Sequence, residues 1–346
     1  MIDMGNNAKI ADLVHYGGFY LVSSCGLACR LNSIQPEETP VGIRIQVANA
    51  SRKTRTLGYK GFVLDAIIRS TKPHVLAGSF MSPYDINQDI YETVPRPISW
   101  FASKFPSLAY YPRFFRVVLA AGSLAKKDQY HKDQWCASSW QVLRDLEHVG
   151  VKLRIGGIQN IARLESPCLV IGNHMSTLET NILPGVIRPY RKVTFVVKQS
   201  LLKVPVFKHV MRSRDPVVVG RTDPRSDLRS MLDGGLQRLE AGTSIIIFPQ
   251  GERTDTFDPA KFNSIGVKLA KRANVPIIPM ALKTDAWRLG KYVPDIGRIY
   301  PSKKVNIEFG KPLTVEGRGK DTQQAIIDFI RDHLDRWNRS DQELSA

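Results

Sequence analysis

The chain has 346 residues, of which 43% are hydrophobic and 23% charged, a globular composition that excludes a disordered or fibrous protein. Its 49 Lys and Arg against 32 Asp and Glu leave a formal charge of +17, which favours anionic partners: phosphorylated substrates, an anionic membrane surface or nucleic acid. Four cysteines (Cys25, Cys29, Cys136, Cys168) have neither zinc-ligand spacing nor a disulfide framework, and this fits a reducing compartment.

Residues 1–80 lack sustained periodicity and read as a poorly defined extension. Within them "LVSSCG" loosely resembles a lipoprotein cleavage site, but Asp12, His15 and two glycines break the apolar region that an export signal needs. Met81 opens a better-patterned stretch, "MSPYDINQDIYETVPRPISW", so one reading starts the functional chain there. Residues 81–150 are expected to be helical and to touch a membrane. No run of about 20 apolar residues occurs, so no spanning helix is expected.

Residues 98–127, "ISWFASKFPSLAYYPRFFRVVLAAGSLAKK", are too short and too charged to span a bilayer. They suit a helix pair at an interface, interrupted at Pro112, with Trp100, Phe101, Tyr110, Tyr111, Phe114 and Phe115 inserted and Lys104, Arg113, Arg116, Lys126 and Lys127 near headgroups. A helix that packs against a domain has the same pattern.

From residue 151 short β-rich runs alternate with helical ones. The strand candidates are Lys152–Ile155, Cys168–Ile171, Val193–Val197, Val217–Val219, Ser244–Phe248, Ile277–Ala281 and Val305–Phe309. Helical apolar spacing marks Ser226–Glu240 and Thr322–Trp337. Residues 151–340 are therefore expected to form an α/β domain with a central, mostly parallel sheet of about seven strands flanked by helices.

The stretch "IGNHMSTLET" leaves a strand at Gly172 and places His174 five residues before Glu179. On one ideal helix five residues turn through about 500°, so the two side chains would diverge. They meet only if His174 precedes a helix that begins near Ser176, and Ser176-x-x-Glu179 reads as the capping box of such a helix. A plain helix cap is the other reading of the same residues. Two further strands end in charge: "VVVGRTDPRSD" places Arg221 past one, and "SIIIFPQGERTD" places Gly251 and Arg253 past another. Residues just beyond strand ends line the ligand crevice of an open α/β sheet, and Gly251 lets backbone approach a ligand.

The order NHxSxxE, an arginine after an apolar strand, FPxGxR and VPIxP resembles the four blocks of the glycerolipid acyltransferase family, which includes the 1-acylglycerol-3-phosphate acyltransferases. The resemblance covers roughly residues 151–315. Two departures stand out. The family's H-x4-D is His174-x4-Glu179 here, and its FPEGTR is FPQGER, so no charged role passes to Gln250.

The resemblance implies transfer of a fatty acyl group from a thioester to the hydroxyl of a lysophospholipid, 1-acylglycerol-3-phosphate giving phosphatidic acid. His174 would be the general base, since imidazoles ordinarily titrate near neutrality, and Glu179 would orient it. Amides at the start of the helix after Ser176 would help to hold the oxyanion. Arg221 and Arg253, with Lys198 after another strand, would bind the acceptor's phosphate. No bound cofactor or metal is expected; acyl-CoA or an acyl carrier protein would be the co-substrate. The expected setting is peripheral, on the cytoplasmic side of a membrane, with no nucleic-acid partner. Two alternatives remain at this point: the same fold with another acceptor (glycerol 3-phosphate, another lysolipid or a lyso-aminolipid), and a non-catalytic basic protein that binds membranes or nucleic acid.

Overall fold

The computed structural model describes residues 13–16, 19–22, 27–30, 89–204, 207–220 and 224–343. The chain divides into two units, Met1–Pro73 and His74–Ala346. In the first, strands β1 (Leu13–Tyr16), β2 (Phe19–Val22) and β3 (Leu27–Arg30) pair as an antiparallel meander. The reading that the functional chain starts at Met81 falls outside the described residues.

The second unit opens with β4 (Ile90–Glu92), followed by helices α1 (Trp100–Lys104), α2 (Pro106–Lys126) and α3 (Lys132–His148). Strands and helices then alternate: β5 (Leu153–Gly156), α4 (Gln159–Ala162), β6 (Leu169–Gly172), α5 (Leu178–Ile187), β7 (Val193–Lys198), α6 (Phe207–Arg212), β8 (Val217–Val219), α7 (Pro224–Glu240), β9 (Ser244–Ile247), α8 (Ile265–Ala273) and β10 (Ile277–Lys283). β11 (Val305–Phe309) and the long α9 (Lys320–Glu343) close the chain.

The sheet has eight strands in the order β4-β5-β11-β10-β6-β9-β7-β8. All seven strands anticipated from residue 151 onward are present. The eighth, β4, is three residues long and pairs antiparallel with β5; β10 and β11 are also antiparallel, so the sheet is mixed. The other five adjacencies are parallel.

β6 and β9 are buried on both faces, which is why they read as unbroken apolar runs. Alternate residues divide between two cores. Val170, Ile246, Ile278 and Leu282 face the layer of α2, α3 and α5. Leu169, Ile171, Ile247 and Ile277 face α8 and α9, where Ile326, Ile330 and Leu334 form the helical stripe expected in α9.

The α1–α2 segment differs from expectation in two ways. The break lies at Phe105–Pro106, not at Pro112: Ser99 caps α1, its hydroxyl accepting the Ala102 N–H at 3.2 Å, and Pro106 starts α2. α2 continues through Pro112, and residues on both sides of it are buried. Tyr110, Tyr111 and Phe114 are buried around Trp287, with ring centroids 5.2, 6.0 and 5.0 Å from it. Those three aromatics are core residues rather than interfacial anchors, and Phe115 packs half-buried beside them. Among the described residues no helix is long and apolar enough to cross a membrane.

Candidate active site

The site is built where β6 leaves the sheet. A Cβ on Gly172 would lie 2.8 Å from the Met280 carbonyl oxygen and from its Cε, so only glycine permits this approach of β10. The next residue, Asn173, extends the ladder with its side chain. Its Nδ2 donates to the Leu282 carbonyl at 2.7 Å, and its Oδ1 accepts the Leu282 N–H at 2.9 Å. The chain is thereby pinned one residue before His174.

His174 Nδ1 bonds Glu179 Oε2. With an ionised carboxylate the nitrogen is the donor, which leaves the lone pair on Nε2, and Nε2 makes no hydrogen bond among the described residues. The imidazole lies flat on Phe248, centroids 4.2 Å apart and planes within 8°. Helix α5 begins at Leu178 with Thr177 as its N-cap and no side-chain cap bond, so the expected Ser176 capping box is only half made: Glu179 Oε1 accepts the Ser176 N–H at 2.9 Å, but the Ser176 hydroxyl accepts the Leu178 N–H at 3.2 Å rather than that of Glu179. The amide contact and the histidine contact coexist on one carboxylate. Of the amides expected to hold an oxyanion at the start of this helix, that of Leu178 is engaged by the Ser176 hydroxyl; just before the helix, the Met175 and Ser176 amides bond Glu179.

Glu179 has no solvent exposure. A buried charge demands compensation, and besides His174 and the two amides it receives one from Thr284, whose hydroxyl donates to Oε1 at 2.5 Å. Thr284 in turn accepts from the Ser176 hydroxyl at 2.9 Å. Thr284 lies just past β10 and was not anticipated, because it is 105 residues from Glu179 and carries no local signature.

The turn after β9 is stitched to His174. Gln250 Oε1 accepts the His174 N–H at 3.0 Å, and the Thr254 N–H donates to the His174 carbonyl at 2.9 Å. Gln250 Nε2 donates to Thr254 Oγ1 at 2.9 Å, while that hydroxyl donates to the Thr256 carbonyl at 2.7 Å. A side chain that must accept on one atom and donate on the other suits an amide better than a carboxylate, which accounts for glutamine in the third block. Gly251 takes φ +76°, a left-handed conformation natural to glycine, and its N–H closes a turn on the Phe248 carbonyl at 3.1 Å.

Arg253 Nη1 bonds Thr177 Oγ1 and pairs with Asp295 at 2.5 Å. Lys198, at the end of β7, is exposed and has no partner among the described residues. The pairings Ile171–Ile247 and Phe195–Ile246 place His174, Gln250 and Lys198 at one edge of the sheet. Arg221 lies outside the described residues. Missed by the motifs, besides Thr284, are Thr177 and Asp295, whose partners also come from distant loops.

A cleft of about 680 Å³ lies elsewhere, on the face of β5 and β11 beside α9, lined by Lys152, Arg154, Glu308, His333 and Trp337 among others. It shares no lining residue with the His174 site, whose chemistry lies at the open sheet edge instead. Among the described residues no group of three or more His, Cys, Asp or Glu has a metal-binding arrangement.

Residues 152–283 match the family model Acyltransferase. The His174–Glu179 pair lies inside the matched region. The chain is similar to proteins named 1-acyl-sn-glycerol-3-phosphate acyltransferase. The one from Pseudomonas aeruginosa is 29% identical over 185 residues, 54% of this chain and 67% of that protein. A probable one from Mycoplasma pneumoniae is 31% identical over 139 residues, 38% of this chain and 50% of that protein. The fold is similar to the crystal structure of the 1-acyl-sn-glycerophosphate acyltransferase PlsC from Thermotoga maritima, with a TM-score of 0.52, 17% identity and coverage of 69% of this chain and 95% of that one.

Proposed function

We propose that the protein acylates the free hydroxyl of a lysophospholipid, 1-acylglycerol-3-phosphate giving phosphatidic acid. The observation that carries this reading is the pair of His174 and buried Glu179, with Nε2 open at the sheet edge. The acceptor's O–H gives its proton to Nε2 as its oxygen attacks the thioester carbonyl. The imidazolium that forms is stabilised by Glu179. Collapse of the tetrahedral adduct breaks the C–S bond, and the departing sulfur takes the proton back from Nε2. No serine or cysteine nucleophile is needed. A base of this kind contributes about 10²–10⁴-fold.

Arg253, Lys198 and Arg221 are assigned to the acceptor's phosphate. Arg253 meets Asp295 and Thr177 through Nη1, so Asp295 competes with the phosphate for that charge. The donor is acyl-CoA or an acyl-carrier-protein thioester, and no resident cofactor is invoked. The protein works peripherally at the cytoplasmic face of a membrane. Of the aromatic anchors first expected, Trp100 and Phe101 remain, 71% and 46% exposed; Phe105 joins them at 49%, and Lys104 sits among them.

The test is a matrix of acyl donors against acceptors (1-acylglycerol-3-phosphate, glycerol 3-phosphate, other lysolipids, a lyso-aminolipid) with the full chain and His174→Ala. Turnover on the first acceptor, lost in the variant, is the expected result. Faster turnover on another acceptor would reassign the substrate, and near-parent activity in His174→Ala would remove the base.

A further inference from the structure

The segment that follows β7 has a surface that the acyl-transfer chemistry leaves unused. Residues 199–212 carry Lys203, Lys208 and Arg212 and no carboxylate. Among these charges Leu201, Val204 and Phe207 are 43%, 38% and 37% exposed. A single exposed leucine means nothing. Three large apolar side chains within seven residues, ringed by cations, form a patch of the kind that marks an interaction site.

The patch is held in place. A 3-10 turn spans Gln199–Lys203, the Val204 N–H bonds the Leu201 carbonyl at 3.3 Å, and the Lys208 N–H bonds the Val204 carbonyl at 2.9 Å. Val210 and Met211 of α6 pack inward against the main core, so the inner face of the segment already has its partners. Leu201 lies three residues past Lys198, so their Cα atoms are at most about 11 Å apart. The patch therefore flanks the sheet edge that carries His174.

We propose that this ledge, made by Leu201, Lys203, Val204, Phe207, Lys208 and Arg212, is a contact for an anionic phospholipid bilayer, separate from the α1 aromatics, that brings the lipid surface to the His174 edge. The proposal rests on the acyl-transfer reading for its purpose but not for its chemistry. Cations without carboxylates complement an anionic surface, and exposed aliphatic side chains among lysines suit insertion at the headgroup boundary.

The experiment uses the full chain and two double variants, Leu201→Gln with Val204→Gln and Lys203→Glu with Lys208→Glu. Near-ultraviolet circular dichroism verifies that both fold. Co-sedimentation is measured with protein-free vesicles of phosphatidylcholine alone and of phosphatidylcholine with phosphatidylglycerol. The charge reversal should weaken binding to the anionic vesicles about tenfold or more, and the apolar pair several-fold. Neither should change turnover of a soluble short-chain acceptor, whereas turnover of vesicle-presented acceptor should fall with binding. Parent-level vesicle binding in both variants would overturn the proposal and point to an acidic protein as the occupant. Absence of turnover in the parent would defeat the acyl-transfer reading while the binding measurement still decides the ledge.

Discussion

Glu179 holds a negative charge without solvent, so its service to His174 depends on its other partners. Two are backbone amides and the third is the Thr284 hydroxyl. A hydrogen bond to a charged group is worth about 1.5–3 kcal/mol, so Thr284→Val should lower kcat by roughly 10–100-fold with KM little changed. Thr284→Ser keeps the hydroxyl and should stay within a few-fold of the parent; equal losses in both variants would show that Thr284 only packs. Arg253 and Asp295 make a second pair of expectations, opposite in sign. Arg253→Ala should raise KM for a phosphorylated acceptor about tenfold, by loss of a charge-assisted bond. Asp295→Ala should lower that KM, because the carboxylate no longer competes with the phosphate for the guanidinium charge; a rise in KM would mean that Asp295 positions Arg253 productively. The histidine, its carboxylate and the arginine were legible because short motifs carry them. Thr284, Thr177 and Asp295 were not, since their roles arise only where the fold joins loops far apart in sequence.

Among the elements, α2 and α3 show how burial alters a charge. Asp145 on α3 is 2% exposed, and burial pushes its carboxyl above the ordinary range, against a hydrogen bond from Gln141 at 3.0 Å and the Arg113 guanidinium at 3.7 Å. A folded state that binds this proton more tightly than the unfolded chain is favoured at low pH and loses that advantage as pH rises through the folded value. Asp145→Asn keeps the amide contact and removes the titration. Its melting temperature should exceed the parent's at neutral pH, and the gap should close as pH falls below the ordinary carboxylate range; a gap independent of pH would exclude the charge as its cause. The strands after residue 151 were legible because buried parallel strands are continuous Val/Ile runs. β4 was not, since three residues carry no period and its place depends on β5. The α2 aromatics were misjudged for a related reason. An amphipathic aromatic stripe is the same whether it faces lipid or Trp287, and only tertiary contact decides.

For the whole molecule, a formal charge of +17 sets how it meets a surface. Attraction between exposed charges is screened over about 10 Å at 0.1 M salt, so vesicle binding should fall steeply as salt rises, down to a floor set by apolar insertion. On α1 and its flank the proposed contributors to that floor are Trp100, Phe101 and Phe105; the first two rings each lie against Phe105, and all three are exposed. Replacing the three by serine should lower the high-salt floor and leave the melting temperature nearly unchanged, because little buried area is lost. Phe114→Ser should do the reverse. Removing a buried phenylalanine costs about 3–5 kcal/mol, so stability should drop, while vesicle binding by the protein that remains folded should match the parent's. Salt titrations of binding beside thermal melts of the two variants separate the effects. If the triple variant melts early and Phe114→Ser loses only binding, the assignment of surface and core along this segment is inverted.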